Sequence, residues 1–173
     1  MERILIMKVK REAFVDVYIT EAFLYLLKKK EYKDISITEI CKKAGVTRMS
    51  FYRNFESKED IMRKKVREVT DSFLEKSAIS YREDTIREYF IKLFTHMERQ
   101  KELCTALYQA DLIYIVKDEF DRVFLESHKR EYNDYKSFFL SGGIFNVFLF
   151  WFVNGCRESP EEMAKRLEGI LVK

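Results

Sequence analysis

Apolar residues recur along this chain at the three- and four-residue spacing of amphipathic helices. The first predicted helix, about Lys10 to Lys30, aligns Phe14, Tyr18, Ala22 and Leu26 on one stripe, with Phe23 and Leu27 on an adjoining row. Its three closing lysines complement the partial negative charge of a helix C-terminus. Ser36-Ile37-Thr38-Glu39 then spells a capping box, and Ile35 and Ile40 are placed to form a hydrophobic staple across the same helix start. Gly45 stops that short helix after Ala44. Thr47 caps the next helix, and Ser57-Lys58-Glu59-Asp60 opens another after Phe55. Beyond Met62 the pattern stays helical, with breaks predicted near Ser80–Asp84, Gln100–Lys101 and Tyr132–Asp134. Ser159-Pro160-Glu161-Glu162 is the clearest start, and its helix carries Met163, Ala164, Leu167, Ile170 and Leu171 on one stripe that needs a partner.

Composition agrees with an all-α chain. Only five Gly and one Pro among 173 residues leave little material for the turns of a β protein. Apolar residues at 47% and charged residues at 35% suit a globular core. Charge is uneven: residues 1–70 carry 17 Lys+Arg against 11 Asp+Glu, so the N-terminal part suits an anionic partner. Cys41, Cys104 and Cys156 are an odd number, far apart and without a C-x-x-C pair, which points to a reducing, cytoplasmic compartment rather than a disulfide framework or a zinc site. Met1–Lys10 reads as a lead-in and not a signal peptide, because no small-residue cleavage site follows its apolar run. Ser137 to Cys156 is 20 residues without a charge, long enough to span a bilayer. Its Ser, Gly and Asn residues dilute that signal, and a helix apolar on all sides also fits a buried interface. The two readings are a dimer helix, with no membrane, or a membrane-associated interaction protein anchored by residues 137–156.

The run from Ser36 to Phe55 has the order helix, Gly turn, helix of a helix-turn-helix, in which the first helix braces the second and the second meets base edges. Within Thr47-Arg48-Met49-Ser50-Phe51-Tyr52-Arg53-Asn54-Phe55, Phe51 is expected to face Val46, Ile40 and the first helix, while Phe55 closes the far side. Arg48, Met49, Ser50, Tyr52 and Arg53 are left facing outward. Arg48 is suited to a bidentate guanine contact or to a phosphate, Met49 to a thymine methyl or to simple filling, and Ser50 to a base or phosphate. Thr47, Tyr52, Arg53 and Lys58 are the expected phosphate contacts, Lys58 at a helix start where free N–H groups already favour an anion.

From about Ile19 to Met62 the chain resembles the tetracycline-repressor-like (TetR/AcrR) transcriptional regulators. The likeness rests on Ile37-x-x-Ile40-x-x-x-Ala44-Gly45-Val46, the Tyr52 to Phe55 spacing and Ser57-Lys58-Glu59. Glu31 stands where the family usually has Gly, and Cys41 where it usually has Ala. The resemblance implies that Arg48 and Met49 sit among base-reading positions, and that Ser36, Thr47, Ser50, Tyr52 and Lys58 sit where phosphate contacts are common. It further implies an N-terminal three-helix helix-turn-helix DNA-binding domain, residues 1–56, and a C-terminal helical ligand-binding and dimerisation domain, residues 57–173, with 57–79 as the connecting helix. The expected partners are double-stranded DNA, a second copy of the chain and an unidentified small-molecule effector. Gly142, Gly143, Phe145, Phe148, Leu149, Phe152, Met163 and Leu167 are expected in the dimer seam, and Phe90, Phe94, Tyr108, Tyr114 and Phe124 as effector-pocket candidates. His96 and His128 lack ligand spacing, so no metal or other cofactor is expected. No nucleophile motif or phosphate loop is visible, so enzymatic activity is not expected either.

Overall fold

The computed structural model describes residues 14–77, 85–128 and 134–171, and every regular element within them is helical. In chain order these are α1 (Val15–Leu27), a 3-10 turn (Tyr32–Asp34), α2 (Ile37–Ala44), α3 (Arg48–Asn54), α4 (Lys58–Ser77), α5 (Ile86–Arg99), α6 (Lys101–Gln109), α7 (Tyr114–His128), α8 (Asp134–Val153) and α9 (Pro160–Leu171). The break expected at Gln100 separates α5 from α6. The lead-in and the breaks expected near Ser80–Asp84 and Tyr132–Asp134 lie wholly or mostly outside the described residues. A further break, between α6 and α7, carried no glycine to announce it. There Asp111 takes φ 57°, and the Leu112 N–H closes on the Leu107 carbonyl at 2.8 Å. Asp is one of the few side chains that adopt this left-handed conformation readily.

The chain divides into two compact units. The first holds the described residues up to Val66 together with Ala106–Leu112. Its core is set by α1, whose inward row is Ile19, Ala22, Phe23 and Leu26. Phe14 and Tyr18, expected on the buried stripe, are 51% and 42% exposed because that row begins one residue later, at Ile19. Ile35 and Ile40, the expected staple, are both buried. Glu31 is extended at φ −66°, so this turn makes no demand for the glycine of the family pattern. At Gly45, by contrast, φ is 67°, and the following Val46 N–H returns to the Cys41 carbonyl at 3.0 Å. That closure ends α2 and turns the chain into α3.

The second unit holds Arg67–Thr105 and the residues from Ile113 onward. In it α9 packs along α5, and α7 along α8. Phe120 of α7 meets Phe145 and Phe148 of α8 at centroid distances of 5.8 and 6.1 Å. Trp151 is buried edge-on against Phe94, and its indole N–H donates to the Glu158 carbonyl at 3.0 Å. The Ser159 box is reciprocal: its hydroxyl accepts from the Glu162 N–H, and the Glu162 carboxylate accepts from the Ser159 N–H. A buried carboxylate is costly unless paired, and Glu119 is held by Arg67 at 3.1 Å and Arg122 at 2.7 Å.

Candidate nucleic-acid interface

The geometry of α3 follows from its two caps. The Thr47 hydroxyl accepts from the Ser50 N–H at 3.1 Å and lies 3.0 Å from the Ser50 hydroxyl. At the other end the Lys64 ammonium donates to the Asn54 carbonyl at 2.5 Å and sits 4.9 Å over the Phe55 ring. Between the caps, Phe51 is fully buried, with Phe55 at 6.0 Å and the Tyr52 ring edge-on at 5.3 Å. These contacts fix which way the helix faces. Arg48, Met49, Tyr52 and Arg53 are all exposed, Met49 at 69%. The Arg48 guanidinium stands 6.0 Å over the Tyr52 ring, and Arg53 reaches the Met49 sulfur at 3.8 Å. Four outward side chains are thus arranged as two neighbouring pairs. With seven residues the helix is about 10 Å long, short enough for a major groove about 12 Å wide.

Three sequence-predicted residues stand differently from the expectation. Ser50 is half-buried and tied to Thr47, so its hydroxyl is part of the N-cap and not a clear outward group. The Ser36 hydroxyl accepts from the Glu39 N–H at 3.1 Å, while the Glu39 carboxylate turns away to Lys30 at 2.6 Å, leaving the capping box half formed. A hydroxyl that accepts in a cap keeps its own hydrogen for a phosphate, so Ser36 and the Thr47/Ser50 pair retain that capacity. Lys58 departs furthest. Its ammonium donates to the carbonyls of Tyr32 and Ile35 at 2.7 and 2.6 Å and lies 4.3 Å over the Tyr32 ring. Partial burial lowers its pKa, with Asp34 opposing. Lys58 is a clamp between the 3-10 turn and α4, and one N–H remains for any other partner.

The residues expected in the dimer seam separate into two sets. Phe145, Phe148, Phe152, Met163 and Leu167 are each buried within the protomer, because one face of α8 must fill the core against α7 and one face of α9 must pack on α5. They are core residues here. Gly143 is exposed and Gly142 and Leu149 are half-exposed on the outer side of α8. The large apolar residues exposed on α8 are Tyr135, Phe138, Phe139, Phe150 and Val153, by 87%, 51%, 76%, 71% and 49%. Tyr135, Phe139, Gly143, Asn146, Phe150 and Val153 follow one another at steps of three or four, which keeps them on one face of the helix.

Among the effector candidates, Phe90, Phe94 and Phe124 are core residues, while Tyr108 and Tyr114 are exposed. None of the five lines the groove of about 520 Å³ that runs between α4 and α5 in the second unit. That groove is lined by polar and charged residues interleaved with apolar ones, a mixture that the aromatic spacing could not reveal. Lys64 was likewise invisible beforehand, since only the fold brings it to the end of α3. Among the described residues no group of His, Cys, Asp and Glu is placed to hold a metal ion. The side chain of His128 lies outside the described set.

Comparison with known proteins places these features in one family. No curated protein matches the sequence. In fold, the chain is similar to a TetR transcriptional regulator from Streptococcus agalactiae 2603V, with TM-score 0.72, 18% identity, and 98% of this chain and 99% of that one covered. It is also similar to the fatty acid degradation regulator FadR from Bacillus halodurans (TM-score 0.55, 15% identity, covering 89% and 96%). A TetR transcriptional regulator from Rhodococcus sp. RHA1 matches with TM-score 0.52 and 21% identity, covering 91% and 95%. Residues 19–64 match the model of bacterial regulatory proteins of the tetR family, and residues 84–173, just over half the chain, match a transcriptional regulator C-terminal region of the same family. Helix-turn-helix and C-terminal helices together establish that the chain belongs to the TetR family of DNA-binding transcriptional regulators.

Proposed function

We propose that the protein acts in the cytoplasm as a homodimeric repressor that binds a palindromic operator and leaves it when a small ligand occupies the region after residue 57. The observation that carries the DNA part is the exposed set Arg48, Met49, Tyr52 and Arg53 on a helix whose opposite side is locked by Phe51 and Phe55. Arg48 and Met49 read bases, while Tyr52, Arg53 and the capping hydroxyls of Ser36 and Thr47 hold phosphates. Two copies related by a dyad would enter major grooves about 34–36 Å apart. Selection of bound fragments from a genomic DNA library tests this. The expected result is a palindromic consensus, and recovery of fragments without a common sequence overturns it.

The outer stripe of α8 supports the dimer. Contiguous exposed apolar surface on a soluble chain marks an interaction site. Gly142 and Gly143 support it independently: a Cβ on either would meet nothing within 4 Å, yet each costs a helix interior about 1 kcal/mol relative to Ala. No neighbour inside the protomer asks for glycine there, whereas a partner helix approaching closely would. Tyr135–Val153 is also long and apolar enough to cross a membrane, with mean hydropathy 1.5. Fractionation without detergent separates the readings, since recovery only with membranes would overturn the soluble dimer. Ligand control requires only that the effector bind the DNA-incompetent state better, because a ligand shifts an equilibrium by its differential affinity.

A further inference from the structure

The α4–α5 groove has a chemistry of its own. Its apolar floor is made by Val69 and Phe73 of α4 and Ile91 of α5, all half-buried. The Phe73 ring stacks on His96 at 4.5 Å and 27°, so the floor includes a flat aromatic wall. Cations line it too: Lys76, Lys92 and Arg99, against one carboxylate, Glu68. Lys92 is also paired with Glu88 at 3.2 Å. Lys76 and Arg99 are exposed, and neither forms an ion pair among the described residues. At about 520 Å³ the groove falls in the size range that takes small organic ligands.

His96 lines the same groove. Burial, and then the Arg99 charge, lower its pKa to about 4, so at neutral pH it is an uncharged ring beside Phe73. Burial is the larger cause; the smaller one, the Arg99 guanidinium, is a positive charge that would attract an anion placed next to the ring. A cationic ligand would meet repulsion, and a neutral one would leave the Lys76 and Arg99 charges unused.

We infer that the groove binds an aromatic carboxylate, its ring on the Phe73/His96 floor and its carboxylate drawn to Lys76 and Arg99. This rests on the reading of a ligand-controlled regulator and names the class of ligand. The test uses 1-naphthoate, with 1-naphthamide and 1-naphthylmethylammonium as neutral and cationic probes of the same shape. Binding is followed through the His96 ring signals by NMR, which are simple to assign because the chain has only two histidines. Naphthoate is expected to bind with a Kd of about 1 mM or tighter, about tenfold tighter than the amide. Arg99→Gln and Lys76→Gln change exposed side chains and are each expected to weaken naphthoate severalfold with circular dichroism unchanged. The assignment is overturned if the amide or the ammonium binds as tightly, if the double variant leaves naphthoate affinity unchanged, or if no probe moves His96. Selected operator DNA supplies a second readout. Naphthoate that binds without releasing DNA upholds the ligand class and overturns ligand control; release by the amide alone upholds ligand control and overturns the class.

Discussion

Lys58→Met removes an ammonium and keeps its aliphatic stem. In the folded chain that ammonium donates to the Tyr32 and Ile35 carbonyls at 2.7 and 2.6 Å and sits 4.3 Å over the Tyr32 ring. Charge-assisted hydrogen bonds contribute about 1.5–3 kcal/mol each when buried, and a cation over a ring about 0.5–1 kcal/mol at an exposed site. The site is only partly buried, so water satisfies part of what the variant leaves open. The net loss is therefore about 2 kcal/mol, a fall in Tm of about 4–8 °C for a chain of this size. Far-UV circular dichroism measures the melt, and a salt titration of DNA binding, done well below the transition, measures the second quantity. A clamp predicts a lowered Tm with the wild-type salt slope. A phosphate contact predicts an unchanged Tm and a slope reduced by about 0.9, the counterion share of one neutralised phosphate. The second result would refute the clamp and return Lys58 to the DNA backbone.

Arg48→Ala should weaken binding by about 1–3 kcal/mol and relax preference at one base pair in a selection experiment, whereas Tyr52→Phe should weaken all sequences alike; uniform loss from Arg48→Ala would move that residue to the backbone. Phe150→Glu should give a folded monomer by sedimentation, because Phe150 is 71% exposed in the protomer. Phe148→Ala should instead cost about 3–5 kcal/mol of unfolding free energy, followed through the fluorescence of the single Trp151, because Phe148 is fully packed. The pH dependence of stability should carry the signature of His96, whose pKa falls from 6.5 to about 4 on folding. With the folded pKa depressed, its contribution is complete above about pH 6.5 and is lost as pH falls toward about 4, amounting to about 1–2 kcal/mol once partial exposure is discounted. His96→Gln should flatten urea-denaturation midpoints over that window, and an unchanged profile would remove His96 as the cause.

The signals that are local in sequence were legible in advance. Ser36, Gly45, Thr47, Ser57 and Ser159 each act within a few residues of themselves, through a cap or a left-handed turn, so the start of α2, α3, α4 and α9 and the end of α2 follow from them directly. The division of "TRMSFYRNF" into buried Phe51 and Phe55 and outward Arg48, Met49, Tyr52 and Arg53 follows from helical period once one face is assigned to the core. Asp111 escaped notice because its left-handed turn uses a residue that more often signals something else. The remaining features depend on which distant segment meets which. Lys58 reaches carbonyls more than twenty residues back, and Lys64 caps a helix it does not belong to. The apolar helix α8 offers every face to the core with equal hydrophobicity, so its sequence could not say that Phe145, Phe148 and Phe152 turn inward while Phe139 and Phe150 remain outside. Periodicity records that a residue is apolar; only packing against α7 and α5 decides which apolar residues of α8 are buried and which stay exposed.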